Sequence, residues 1–267
     1  MREPFIPLPS KEIAPYVTAH RGISAKAPEN TIAAFLLACA TPGIDMIELD
    51  VRLTRDEEVI VLHDRTLQRT STGNGAARQY TYAEIREFDA GSWFHQSFSR
   101  ERIPLLSDVL EVVDGRLWIN IELKSDLFFR ERPGLLEQKV LEVVHRHKLA
   151  RHVLYSSFDH SMVANIKRMD PEATTGVLFN LYRDYGKPPS KLARRVGASV
   201  FVCAKHEVTR GMIEDAHGHN IEVYVYTLNS IEGAMKLAGM GVDGILSDCA
   251  DDIVPHVKQR VEGHLVL

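Results

Sequence analysis

The chain has 267 residues, 45% hydrophobic and 25% charged, the composition of an ordinary globular protein with room for a full core, and not that of a fibre or a disordered tail. Lys and Arg total 32 against 36 Asp and Glu, a net charge of -4, so no whole-surface attraction to nucleic acid or anionic lipid is expected. Any ligand must be recognised locally.

The longest apolar runs, Val59 to Leu62 and Glu222 to Leu228, stop far short of the roughly 20 residues a membrane helix needs. The first 16 residues are broken by prolines and mixed charges where a secretory leader would be continuously apolar. Cys39, Cys203 and Cys249 are few, distant and odd in number, which argues against a disulfide framework and for a reducing, cytoplasmic setting with the thiols as small buried apolar groups.

In chain order, short β-branched runs recur at Tyr16 to Ala19, Ile44 to Leu53, Leu117 to Leu123, His152 to Ser156, Thr174 to Phe179, Ser199 to Cys203, Ile221 to Tyr226 and Asp243 to Leu246. Helical stripes lie between most of them, such as Ile32, Phe35, Leu36 and Cys39, or Leu136, Val140, Val143 and Val144. Eight strand–helix units in this length match a TIM barrel, and no Gly-rich dinucleotide turn follows the first strand. Val59 to Leu62 follows the second strand too closely for a parallel crossover, so it must return antiparallel as a hairpin. The stretch 64–116 exceeds a βα loop plus helix. It carries the turn signal Ser71-Thr72-Gly73-Asn74-Gly75 and a capping box at Thr81 to Glu84, and reads as a subdomain inserted in one barrel domain spanning 1–267. Leu106, Val109, Leu110 and Val113 after Pro104 form the helical stripe that returns the chain to the barrel.

Glu48 and Asp50, two apart in a strand, share one face, roughly 6 to 7 Å apart along the backbone. Glu122 and Lys124 repeat the pattern near the C-terminal end of the next barrel strand, where barrel enzymes place their chemistry. Three converging carboxylates make an all-oxygen site for a hard divalent cation, Mg2+, Ca2+ or Mn2+, and suit zinc less well. The competing account pairs the two acids with Arg52 or Arg55 on a solvated strand face. His20 and His63 end strands that reach the same mouth. They suit acid and base roles, or ligation of a transition metal. Arg21 and Lys124 add fixed positive charge suited to phosphate oxygens. Together these residues point to a phosphoester.

His20-Arg21-Gly22, Ala27-Pro28-Glu29-Asn30-Thr31, Glu48-Leu49-Asp50-Val51, His63-Asp64, Arg69-Thr70, Gly73-Asn74-Gly75 and Asp89 to Phe94 occur in that order. Ile103-Pro104-Leu105, Ile121-Glu122-Leu123-Lys124, Ser157-Phe158 and Gly241 to Ile245 continue the series. In these motifs and their spacing the chain resembles the glycerophosphodiester phosphodiesterases over nearly its full length. The resemblance implies a TIM barrel with a small insertion and a metal-dependent hydrolysis of glycerophosphodiesters to sn-glycerol 3-phosphate and an alcohol. It implies Glu48, Asp50 and Glu122 as metal ligands for Mg2+ or Ca2+, with Mn2+ admissible, His20 and His63 as the acid-base pair, and Arg21 and Lys124 on the phosphate. Tyr226-Thr227-Leu228-Asn229 stands where the family often has Trp-Thr-Val-Asn, so Tyr226 would supply the aromatic wall against glycerol with an added hydroxyl. The turn Asp56-Glu57-Glu58 lacks the glycine often found there. Trp93, Phe94, Phe128 and Phe129 either pack the insertion, the favoured account, or form a wall against the leaving alcohol. The alternatives are a phospholipase-type diesterase acting on lysophospholipids or phosphoinositides, and a non-catalytic barrel binding a phosphorylated ligand. The expected partner is a small molecule, not nucleic acid, and the sequence sets no oligomeric state.

Overall fold

A computed structural model describes residues 15–125 and 132–262, with side chains to 258. Phe128 and Phe129 lie outside the described residues. The strands are β1 (Tyr16–His20), β2 (Met46–Leu53), β3 (Val59–Val61), β4 (Trp118–Leu123), β5 (Val153–Ser157), β6 (Thr174–Leu178), β7 (Val200–Ala204), β8 (Glu222–Tyr226) and β9 (Gly244–Ser247). The helices are α1 (Ile32–Cys39), α2 (Tyr82–Ile85), α3 (Leu106–Val113), α4 (Leu135–Arg146), α5 (His160–Met169), α6 (Leu181–Asp184), α7 (Pro189–Val196), α8 (Arg210–His217), α9 (Ile231–Met240) and α10 (Ala250–Glu262). The sheet order is β1-β9-β8-β7-β6-β5-β4-β2-β3, and β1 also pairs with β2, which closes eight parallel strands into a TIM barrel. β3 stands outside the ring, antiparallel to β2, as the short 54–58 connection requires. Glu57 takes φ +65° in that turn, the left-handed conformation that a glycine would enter at less cost.

Period-two alternation sorts the strand side chains into two layers. Ile47, Leu49 and Val51 face outward and pack with Phe35, Leu106, Val109 and Leu110 in the main core. Inside the ring, Tyr16, Met46, Leu154, Val200, Tyr224 and Leu246 form an apolar plug toward the strand N-termini. Two residues further along the same faces come Thr18, Glu48, Asn120 and Ser156, all buried. The plug therefore supports a polar layer that opens at the strand C-termini. On α3, Leu106, Val109, Leu110 and Val113 are all fully buried. Truncating Leu110 to Ala would cost about 2–5 kcal/mol.

Between β3 and α3 the chain builds a satellite core from Ile60, Leu62, Leu67, Ala77, Ile85, Ala90 and Ile103. Thr81 caps α2 through the expected box with Glu84. The returning strand bridges Leu105 to Ile60, and Val61 N–H donates to Pro104 O at 2.9 Å, so the insertion leans on the hairpin beside the mouth. Phe94 packs edge-on against both Trp93 and Phe98, at 5.7 Å each, within the insertion. Trp93 keeps 42% of its surface exposed. The three cysteines are free thiols, of which Cys203 alone is fully buried. Among the described residues, no helix is long and apolar enough to cross a membrane.

Candidate active site

The mouth is assembled from strand ends. At the end of β1 the chain turns sharply through Arg21, at φ +59°, and Gly22, at φ +81°. A Cβ on Gly22 would sit 2.6 Å from Ala34, so both the backbone angle and the approach of α1 require glycine there. This turn brings Arg21 N–H to Glu48 Oε2 at 3.0 Å and the Arg21 side chain back over β2. Parallel register places His20 opposite Glu48, and Asp50 opposite Glu122.

Oxygens of Glu48, Asp50 and Glu122 all lie within 4.8 Å of one another, the one group among the described residues spaced to hold a metal ion. The side chains thus converge more closely than their backbone spacing. The account pairing these acids with Arg52 or Arg55 does not hold. Arg52 donates to His63 O, at 2.7 and 3.0 Å, and Arg55 pairs with Glu84 at 3.0 Å. Asp50 instead meets Arg21 Nε at 3.2 Å and Lys124 Nζ at 2.8 Å. Lys124 also bonds Glu122.

Burial, reinforced by the Asp50 charge, pushes the Glu48 carboxyl up to about 8. Burial also raises Glu122. Asp50 goes down despite burial, because Lys124 and Arg21 hold it ionised. Asp50 Oδ1 is buried against the Lys124 ammonium, and Oδ2 accepts from Asn30. Three buried carboxylates driven together at this cost, with Glu48 and Glu122 both pushed upward, fit a hard divalent cation and match the expected all-oxygen donor set. Neither histidine belongs to the group.

His20 Nδ1 lies 2.6 Å from Asp248 Oδ1, which leaves Nε2 facing the cluster, 3.8 Å from Glu48 Oε2. Burial alone would lower its pKa, but Glu48 and Asp248 outweigh burial and raise it. His63, at the rim, has Nδ1 2.6 Å from Asp64 Oδ1. Its pKa goes down, with burial outweighing the pull of the nearby Asp50 carboxylate. Tyr226 closes another side of the mouth, edge-on to Phe158 with centroids 6.4 Å apart. Burial holds its phenol well above the ordinary value, so it stays a proton donor.

Every expected site residue is thus found at this mouth, and the structure adds others around them. Asn30 donates to Asp50 Oδ2 at 2.8 Å. Asp248, which orients His20, is itself held by Asn229 Nδ2 at 2.6 Å and Ser24 Oγ at 3.1 Å. Glu29 bridges Arg21 and Arg69. Asn30 and Glu29 lie inside a quoted motif and Asn229 ends another, but only the fold shows what each touches. The available signal for Asp248 was a carboxylate just past the end of a barrel strand.

A sequence profile of the glycerophosphoryl diester phosphodiesterase family matches residues 20–252. A glycerophosphodiester phosphodiesterase of Caldanaerobacter subterraneus is 34% identical over 244 residues, covering 91% of this chain and 98% of that one. A phosphodiesterase from Oleispira antarctica, solved in complex with the product sn-glycerol-3-phosphate, superposes with a TM-score of 0.84 at 29% identity, over 91% of this chain and 96% of that one. A glycerophosphodiester phosphodiesterase from Agrobacterium tumefaciens gives 0.79 at 32% identity, over 91% and 100% of the respective chains. On its barrel, its acidic mouth and these likenesses, the chain belongs to the glycerophosphoryl diester phosphodiesterase family and is a phosphoric diester hydrolase.

Proposed function

We propose that the chain hydrolyses glycerophosphodiesters such as glycerophosphocholine or glycerophosphoethanolamine to sn-glycerol 3-phosphate and an alcohol, as a single barrel domain with one insertion and in a cytoplasmic setting. The observation that carries this is the convergence of three buried carboxylates, two histidines, an arginine and a lysine at one barrel mouth. The solved relative that holds sn-glycerol 3-phosphate supports the same product here.

Glu48, Asp50 and Glu122 would hold the cation, Mg2+ or Ca2+ with Mn2+ also admissible. Once bound, it supplies neutralisation of the phosphate charge and a more acidic nucleophile. Arg21 and Lys124 present N–H donors beside the same carboxylates and suit the phosphate oxygens. One histidine takes the proton of the attacking hydroxyl, from water or from the substrate's own glycerol. The other gives a proton to the leaving alkoxide as its P–O bond breaks. If water attacks, the histidines return to their starting forms by exchanging one proton with solvent. If the glycerol hydroxyl attacks, water then opens the cyclic phosphate with the two histidines in exchanged roles, so that one water is consumed by either route. Tyr226 and Phe158 form the aromatic side against which the glycerol carbons pack.

The test is product analysis with glycerophosphocholine in the presence of Mg2+ or Ca2+. The account expects glycerol 3-phosphate and choline, with turnover lost on adding EDTA. Release of phosphocholine and glycerol, or turnover indifferent to the chelator, would contradict it. A metal-independent phospholipase has no use for three clustered carboxylates, and a non-catalytic binder has none for an acid-base pair.

A further inference from the structure

The Arg69-Thr70 motif has no part in the chemistry above, yet the Arg69 guanidinium sits between two functional groups of the mouth. Arg69 belongs to the insertion, between β3 and the Gly73-Asn74-Gly75 turn. Its Nε and Nη2 reach the two oxygens of Asp64, at 2.6 and 3.0 Å. Its Nη1 and Nη2 reach the two oxygens of Glu29, both at 2.8 Å. Each partner then touches the site. Asp64 Oδ1 is the oxygen bonded to His63 Nδ1, and Glu29 Oε1 is the oxygen that accepts from Arg21 Nη1 at 2.9 Å. Charge alternates along the path Asp64, Arg69, Glu29, Arg21, Asp50. Isolated exposed ion pairs contribute little, but two bidentate forks on one guanidinium fix both carboxylates in orientation as well as position.

We propose that Arg69 is a positioning residue that couples the insertion to the mouth, orienting His63 through Asp64 and Arg21 through Glu29. The roles of His63 and Arg21 in this proposal rest on the function proposed above. A carboxylate behind an imidazole selects the tautomer and aims the other nitrogen. Asp64 can do so only while both its oxygens are held. Lysine keeps the charge at residue 69 but offers a single point donor, which cannot fill four acceptor positions in one plane.

The test compares the full-length wild type with Arg69→Lys, Asp64→Asn, Glu29→Gln and the double variant Arg69→Lys/Asp64→Asn. Each is assayed with glycerophosphocholine, alongside its melting temperature and the nitrogen and Nδ1-proton NMR signals of His63. Arg69→Lys is expected to melt near the wild type while kcat falls about tenfold and KM rises. Asp64→Asn should act mainly on kcat, and Glu29→Gln mainly on KM. The double variant should have a kcat no lower than that of Asp64→Asn, because both changes interrupt one path. The hydrogen-bonded His63 Nδ1 proton should be present in the wild type and lost in Arg69→Lys. An unchanged kcat and KM in Arg69→Lys would overturn the proposal. So would losses that multiply in the double variant and follow the melting temperature. If the wild type releases no glycerol 3-phosphate, the functional reading fails. The NMR signal still decides whether Arg69 positions His63, and its persistence in Arg69→Lys would refute that.

Discussion

His20 and His63 face one mouth from unlike supports. His20 ends a barrel strand, its side chain only 14% exposed, and its carboxylate partner Asp248 is held by Asn229 and Ser24 from the barrel's own loops. His63 ends the hairpin, 34% exposed, and its partner Asp64 is held by Arg69 from the insertion. Their pKa values move in opposite directions, His20 up and His63 down. The same imidazole–carboxylate unit is thus set differently by its surroundings: burial lowers both rings, but Glu48 and Asp248 outweigh it at His20, whereas at His63 burial, helped by Lys124 and Arg21, outweighs Asp50 and Asp64. The barrel's own loops hold the carboxylate behind one histidine, and a residue between β3 and α3 holds the carboxylate behind the other.

The changes that bear on this comparison can be ranked by size. Glu48→Gln removes the carboxylate beside His20 and Asp50→Asn the one that draws on His63; as proposed metal ligands, each should lower kcat/KM by roughly 10^4-fold at saturating cation, since a bound cation contributes several kcal/mol. Steady-state rates check this, with circular dichroism to confirm folding. His20→Ala and His63→Ala should each lower kcat by about 10^3-fold. The sharper observation is the pH profile: if the histidines form a pair, each variant loses one limb of the bell and retains the other. Asp248→Asn leaves the ring in place but unsettles its tautomer, for an expected kcat loss of about 10- to 100-fold with KM little changed. Asn229→Ala, one step further out, should cost a few-fold by the same argument.

The smallest effect is on stability. The Asp248 carboxyl titrates at about 2 in the fold against an ordinary 3.8; burial would raise it, and the hydrogen bond and charge of His20 with the Asn229 donor bring it down. A lowered carboxyl contributes its stability in full above its unfolded pKa and loses it as pH falls through the folded one. The wild type should therefore lose stability between about pH 4 and pH 2 more steeply than Asp248→Asn, as read by urea midpoints across that window. Parallel curves would show that Asp248 is not held as described.

Much of this was legible in the sequence, for identifiable reasons. Alternation placed the eight barrel strands within a residue or two, because their outward faces are continuous runs such as Ile47, Leu49 and Val51. The hairpin followed from a five-residue connection, and the carboxylates followed from charges on the inward face of otherwise apolar strands. What stayed hidden was long-range. Asp248 lies 228 positions from His20 and meets it only because β9 closes on β1. Arg69 reaches Glu29 across 40 positions and from outside the barrel. No local pattern encodes such pairings, since period and spacing report a residue's own element and not its neighbour across the ring. Arg21 and Lys124 show a related limit: their charge was legible, but not that both rest on Asp50.

The claim that the three carboxylates hold a cation on which hydrolysis depends is tested most directly by metal titration of chelator-stripped enzyme. Rates with glycerophosphocholine would be followed against Mg2+, Ca2+ and Mn2+ for the wild type and Glu122→Gln. The account predicts no turnover without metal, full recovery on adding it to the wild type, and a half-saturating concentration at least tenfold higher in Glu122→Gln. Full activity in the stripped enzyme, or identical metal curves for the two proteins, would contradict it.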